Sequence, residues 1–103
     1  MTYTVRVEVA AAAQLAHIEQ YIGERATPGI AEDYVAAVLD RCQDLELFPH
    51  RGTRRDDLRP GLRTVNYKKR VTIAFMVDDD AQLVSIVGIF YGGQDFESAL
   101  AAG

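Results

Sequence analysis

The chain has no tryptophan, one cysteine and three prolines in 103 residues. No stretch approaches the roughly 18 consecutive apolar residues that cross a bilayer. Each scarcity excludes something. With Cys42 as its only cysteine, the chain cannot form an internal disulfide, and Cys42 reads as small core filler within a helical pattern. The two histidines, His17 and His50, stand far apart and have no cysteine at metal-ligand spacing, so neither a metal nor another cofactor is expected. There is no Walker-type glycine loop and no serine in a nucleophile elbow; Ser85 lies inside an apolar strand and reads as structural. The opening residues MTYTVRVEV lack a charged leader followed by an apolar core, so a cytoplasmic protein away from membranes is expected.

Half the residues are hydrophobic and a quarter charged, and the chain is expected to form one domain over residues 1–103. At this length about two-thirds of the unfolded surface is buried on folding. The net charge of −4 argues against general nucleic-acid affinity. Its distribution is uneven: eight of the eleven basic residues fall between Arg51 and Arg70. That segment reads equally as a solvated rim, softened by Asp56 and Asp57, or as an edge that steers an anionic partner.

The chain organises around three consecutive strands between Pro60 and Asp95. Leu62 to Tyr67 opens the meander, Arg70 to Asp78 follows the doublet Lys68-Lys69, and Gln82 to Tyr91 closes it after an acidic turn. Val71, Ile73, Phe75 and Val77 alternate with Arg70, Thr72, Ala74 and Met76, which predicts one buried face. The last strand is apolar almost throughout, as a central strand covered on both sides would be. Before the meander, Tyr3 to Val9 alternates as a further strand. Ala11, Leu15, Ile18 and Ile22 then recur at helical spacing up to Arg25, with Gln14, Glu19, Gln20 and Glu24 on the other side.

Thr27-Pro28 is a helix start signal, and a second helix is expected from Pro28 to Phe48, with a stripe of Ile30, Tyr34, Val38, Cys42 and Leu45 widened by Leu39 and Phe48. The short break between them implies an antiparallel helix hairpin. Pro49 to Gly61 is a long polar connection, functional or a plain linker. After the meander, Gly92-Gly93-Gln94-Asp95 turns the chain away, and Phe96 to Ala102 forms a last helical turn or frays. The predicted fold is α+β: an N-terminal strand, an antiparallel helix hairpin and a three-stranded antiparallel meander, with the helices on one face and the other face more open.

Three groups of residues carry a resemblance: Leu45-x-x-Phe-Pro-x-x-Gly52, Arg59-Pro-Gly-Leu-Arg63 and Ile89-Phe-Tyr-Gly-Gly-Gln-Asp95. In this order and spacing, and over essentially the whole chain, they resemble the RelE/ParE superfamily of toxins from type II toxin–antitoxin modules, its ParE branch in particular. The resemblance implies a growth-arresting, plasmid-stabilising toxin held inactive by a cognate antitoxin in a hetero-oligomer. Any binding to operator DNA would then come through the antitoxin. ParE-like members poison DNA gyrase, whereas RelE-like members cut messenger RNA on the ribosome.

RNA cleavage needs groups that activate the 2′-hydroxyl, stabilise the phosphorane and protonate the leaving oxygen. Here Thr72 and Gln94 stand where the resemblance leads one to expect arginines, and Lys68, Lys69 and Arg70 fall at the hairpin turn. His17 and His50 lie on the helical side of the chain. The expectation is therefore a gyrase inhibitor that acts by binding, with no catalytic residues. Arg59, Arg63, Lys68, Lys69 and Tyr91 are its candidate target-binding residues, and Leu15, Ile18, Ile22 and Tyr34 its candidate antitoxin contacts. The alternatives are a ribosome-dependent endoribonuclease using Arg63, Lys68 or Lys69 with Tyr91 as acid, or a degenerate toxin that serves only as an antitoxin-binding co-repressor.

Overall fold

The computed structural model describes residues 2–92 and 96–102. Strand β1 (Thr4–Val7) leads into helices α1 (Val9–Arg25) and α2 (Pro28–Gln43). A 3₁₀ turn (Asp44–Glu46) and the two-residue strand β2 (Thr53–Arg54) follow. Strands β3 (Leu62–Tyr67), β4 (Val71–Asp78) and β5 (Leu83–Tyr91) form the meander, and helix α3 (Phe96–Ala102) comes last. The sheet order is β1-β5-β4-β3-β2. β1 runs parallel to β5, while the other pairings are antiparallel, so the predicted meander sits inside a mixed five-stranded sheet.

The helices begin and end where local chemistry directs. β1 stops at Val7, so Val9, expected in strand alternation, instead opens α1 and is 87 % exposed. The run of four alanines behind it, the best helix formers, favours that conversion. At the hairpin, the Thr27 hydroxyl accepts a hydrogen bond from the Ile30 amide at 3.1 Å, and Pro28 occupies the first helical position. Gly23 of α1 lies opposite Ala31, where an added Cβ would meet the alanine methyl at 3.7 Å, so two small residues let the helices approach closely.

α2 does not continue to Phe48. A residue preceding proline is disfavoured in helical backbone, and ahead of Pro49 the chain tightens into the 3₁₀ turn. Leu45 is thereby buried, while Leu47 and Phe48 turn outward. Phe48 does not widen the apolar stripe. Ile30 and Leu39 are also exposed; Ala31 is the residue that the first turn of α2 buries.

One face of the sheet packs Val65, Val71, Ile73, Phe75, Val84, Ile86 and Ile89 against Ala11, Leu15 and Ile18 of α1 and Val38, Cys42 and Leu45 from α2 and its end. The opposite face is less open than predicted. α3 lies across it, with Leu100 packed among Leu62, Ala74 and Phe90, and with Leu58, Met76, Val87 and Phe96 at the margin. β5 is central and carries core residues on both faces, as its unbroken apolarity implies.

β5 also carries a bulge. Ala74 pairs with Gly88 but Phe75 pairs with Ile86, which leaves Val87 as an extra residue and interrupts the ladder. Beyond it, past the last residue that β1 pairs with, the Ile89 amide donates to the side-chain carbonyl of Gln14 at 2.8 Å. Gln14, assigned by periodicity to the solvent side of α1, lies at the flank of the apolar stripe and turns toward the sheet. At Gly88 a Cβ would come within 2.5 Å of the Phe90 ring, so this position needs glycine's small size.

Candidate functional site

The register of the sheet sorts the predicted site residues into separate places. Tyr67, Val71 and Tyr91 are cross-strand neighbours at one end, whereas Arg63, Phe75 and Ile86 are neighbours toward the other. Arg63 and Lys68 are five residues apart along an extended strand and its turn, or about 17 Å. The five target-binding candidates do not form one patch.

At the first end, Lys68 and Lys69 both adopt left-handed backbone, with φ of 50° and 61°. The Arg70 amide closes their turn by donating to the Tyr67 carbonyl at 3.0 Å. Such turns ordinarily use Asn-Gly, so two lysines hold this tight conformation against their intrinsic preference. The Gly92 amide donates to the Arg70 carbonyl at 2.7 Å, which brings the end of β5 beside the basic turn. Four tyrosines converge here. Tyr34 of α2 meets Tyr67 and Tyr91 edge-on at 5.5 and 6.2 Å, and Tyr21 of α1 lies 5.6 Å from Tyr91. The Arg25 guanidinium stacks on Tyr21 at 3.7 Å. The Tyr34 hydroxyl is buried without a hydrogen-bond partner among the described residues. Burial, and then its phenolic neighbours Tyr91 and Tyr67, push its pKa above the ordinary value.

At the other end, Arg59 and Arg63 have separate surroundings. Arg59 donates to the Leu100 carbonyl at 3.3 Å and so helps to anchor α3. Arg55 binds Asp57 at 2.9 Å and Glu97 at 2.6 Å, tying the same helix to the loop. Arg63 is paired across the sheet with Arg54, and its guanidinium reaches the Arg51 carbonyl at 3.5 Å. β2, hidden in the sequence because two residues carry no periodicity, is what brings Arg54 beside Arg63. Asp79 joins this end to the β4–β5 turn by accepting from the Tyr3 hydroxyl at 2.7 Å and contacting His50 at 2.7 Å. The Tyr3 hydrogen bond, with His50 beside it, holds the Asp79 carboxyl below its usual pKa.

The sheet face that α3 partly covers is chemically plain. Along it the strands present Leu62, Thr64 and Asn66, then Thr72, Ala74 and Met76, then Ser85 and Phe90, with Arg6 beyond Ser85 on β1. The Thr72 hydroxyl donates to the Asn66 side chain at 3.3 Å. The cations that the described residues bring to this side are occupied: Arg6 by Glu8, Arg55 by Asp57 and Glu97, and Arg59 by the Leu100 carbonyl. Gln94, the other position of interest there, lies outside the described residues, as do Gly93 and Asp95 of the predicted turn. Among the described residues no three of histidine, cysteine, aspartate and glutamate cluster closely enough to hold a metal ion.

Of the candidate antitoxin contacts, Leu15 and Ile18 are 6 % and 4 % exposed and belong to the core. Ile22 and Tyr34 pack against that core while keeping some exposed surface. Sequence periodicity could not make this distinction, since all four lie on the inward stripes of their helices.

Two antiparallel helices on one face of a mixed five-stranded sheet, with a short helix on the other, define the architecture of the RelE/ParE toxins. A chromosomal ParDE toxin–antitoxin system from P. aeruginosa matches with a TM-score of 0.75 and 21 % identity, over 87 % of this chain and 96 % of that one. The RelBE2 toxin–antitoxin complex from Mycobacterium tuberculosis matches with a TM-score of 0.64 and 21 % identity, over 88 % and 99 %. A mutant of the E. coli toxin RelE in the free state gives 0.65 at 10 % identity, over 99 % and 96 %. No curated protein matches the chain. The sequence profile of the ParE toxin of the type II toxin–antitoxin system parDE matches residues 5–96, and the chain belongs to that family. It is a toxin of a type II toxin–antitoxin system. Among its described residues no helix is long and apolar enough to cross a membrane.

Proposed function

We propose that this toxin acts in the cytoplasm by binding and inhibiting DNA gyrase, and that a cognate antitoxin neutralises it. The observation that carries the reading is the chemistry of the sheet face on the α3 side, where Thr64, Asn66, Thr72 and Phe90 offer neither a general base nor an unpaired cation for a phosphorane. Toxicity is then a matter of surface complementarity. The row of exposed Arg54 and half-buried Arg63, with Arg51 behind it, is the favoured target-facing edge, and Arg59 supports it indirectly by holding α3.

The test is supercoiling of relaxed plasmid by purified gyrase and ATP, with the toxin alone and then with its antitoxin. Inhibition that the antitoxin relieves is expected, and Arg63→Glu should weaken it. A folded, growth-arresting toxin that leaves supercoiling untouched would refute the proposal.

A ribonuclease reading draws on one observation, the meeting of Lys68, Lys69, Arg70 and Tyr91 at one end of the sheet. Against it, Arg63 lies about 17 Å away, and the Tyr91 ring is packed between Tyr21 and Tyr34. Cleaved transcripts on expression would favour that alternative. A toxin that neither arrests growth nor cleaves RNA would be a co-repressor only.

A further inference from the structure

At the tyrosine end of the molecule α1 and β5 do not close on each other. β1 pairs only as far as Ile86, so beyond it β5 has no strand neighbour on that side among the described residues. α1 reaches the uncovered backbone through Gln14, whose side chain takes the Ile89 amide. Between the two elements lies an open cleft of about 450 Å³, lined by Gln14, His17, Ile18, Tyr21, Arg70 and Tyr91. That volume can bury one large side chain together with part of its neighbour.

The lining combines two kinds of group. Ile18, Tyr21 and Tyr91 supply an apolar wall, and Tyr21 is 44 % exposed although its ring is packed on one side. Arg70 and His17 stand at the cleft with no ion-pair partner among the described residues, while Arg25 adds positive charge on the Tyr21 ring. Elsewhere Arg6, Arg41, Arg54 and Arg55 each have an acidic partner. Arg70 thus joins Arg25, Lys68 and Lys69 in a group of cations at this end that have no ion-pair partner among the described residues, on a chain of net charge −4.

We propose that the cleft is an anchoring pocket for an acidic, apolar segment of the antitoxin. One aromatic or branched side chain seats on Ile18, Tyr21 and Tyr91, and an adjoining carboxylate pairs with Arg70. The proposal rests on the antitoxin partnership of the reading above and does not depend on the toxin's target. A protein carboxylate suits the site better than a nucleic acid. The positive groups at this end match one or two carboxylates, whereas the chain's net charge of −4 opposes the long run of phosphates of a nucleic acid. A disordered segment that orders on contact can also run along the uncovered edge of β5.

The experiment is calorimetric titration of purified toxin with purified cognate antitoxin, at low and at high salt. Arg70→Glu should weaken binding by at least about tenfold, because it removes a charge-assisted contact and adds repulsion. Tyr21→Ala should weaken it through the apolar wall, and Arg6→Gln, on the remote strand β1, should leave it unchanged. Thermal melts confirm that each variant folds. Wild-type affinity in folded Arg70→Glu and Tyr21→Ala overturns the proposal, as does displacement of the antitoxin by a single-stranded oligonucleotide in wild type but not in Arg70→Glu. Supercoiling by gyrase with toxin alone, run in parallel, tests the target; its failure leaves the affinity comparison standing.

Discussion

Gln14 offers a sharp test of how the helix hairpin is fixed to the sheet. Beyond Ile86 no strand pairs with the outer side of β5 among the described residues, and the Ile89 amide there donates to the Gln14 side-chain oxygen at 2.8 Å. Gln14→Leu keeps a side chain of similar length and removes the acceptor. A buried amide left without a partner costs about 1–3 kcal/mol. Ile89 is fully buried but Gln14 is only half-buried, so relaxation and solvent at the Gln14 side offset part of the cost and the expected loss falls near the lower end, about 1–2 kcal/mol. For a domain of this size that corresponds to a fall in melting temperature of roughly 5–15 °C. Gln14→Glu keeps an oxygen in reach and should retain most of the stability. Urea unfolding gives the free energies, and amide hydrogen exchange at Ile89 shows whether the lost protection is local. If Gln14→Leu unfolds at the same urea concentration as the wild type, with Ile89 equally protected, the hydrogen bond does not hold α1 to β5.

Burial pushes the Cys42 thiol up to about 11, outweighing the pull of neighbouring Arg41 in the opposite direction. Native protein should therefore resist iodoacetamide near neutral pH and react readily once unfolded in urea, which mass spectrometry would register. The carboxyls of Asp56, Asp57 and Asp79 are held below their usual range chiefly by the Gly61 amide, the Arg55 guanidinium and the Tyr3 hydroxyl, respectively. A depressed folded pKa means stability that is present above the unfolded carboxylate value of about 4 and lost as pH falls through the folded values. Melting temperature should thus drop on acidification below about pH 4, and Asp79→Asn should make that drop shallower. An unchanged slope would show that Asp79 carries none of it.

The sequence by itself determined the order and type of the main elements, because each is announced by a local signal. Alternation marks Val71 to Val77, the three-and-four spacing of Leu15, Ile18 and Ile22 marks α1, and Thr27-Pro28 marks the start of α2. It also determined the family, through turn and strand residues that recur at fixed spacing along the chain. Contacts between residues distant in sequence were decided only by tertiary structure. β2 is too short to show a period and exists because β3 lies beside it. α3 is held against the sheet by Leu100 and by Arg55 and Arg59, some forty residues earlier. Gln14 turns inward because β1 ends opposite Ile86 and leaves the Ile89 amide of β5 to be satisfied.

The basic segment shows the same division. Charge counting groups Arg51 to Arg70 together, yet an extended strand carries Arg63 and Lys68 to opposite ends of the sheet, since every residue of β structure advances the chain by about 3.3 Å. The cleft is a product of the same geometry. Tyr21, Arg70 and Tyr91 stand far apart in sequence and meet only because α1 crosses the end of β5. Local propensity can specify which residues face inward, but which of them meet is fixed by strand order and register.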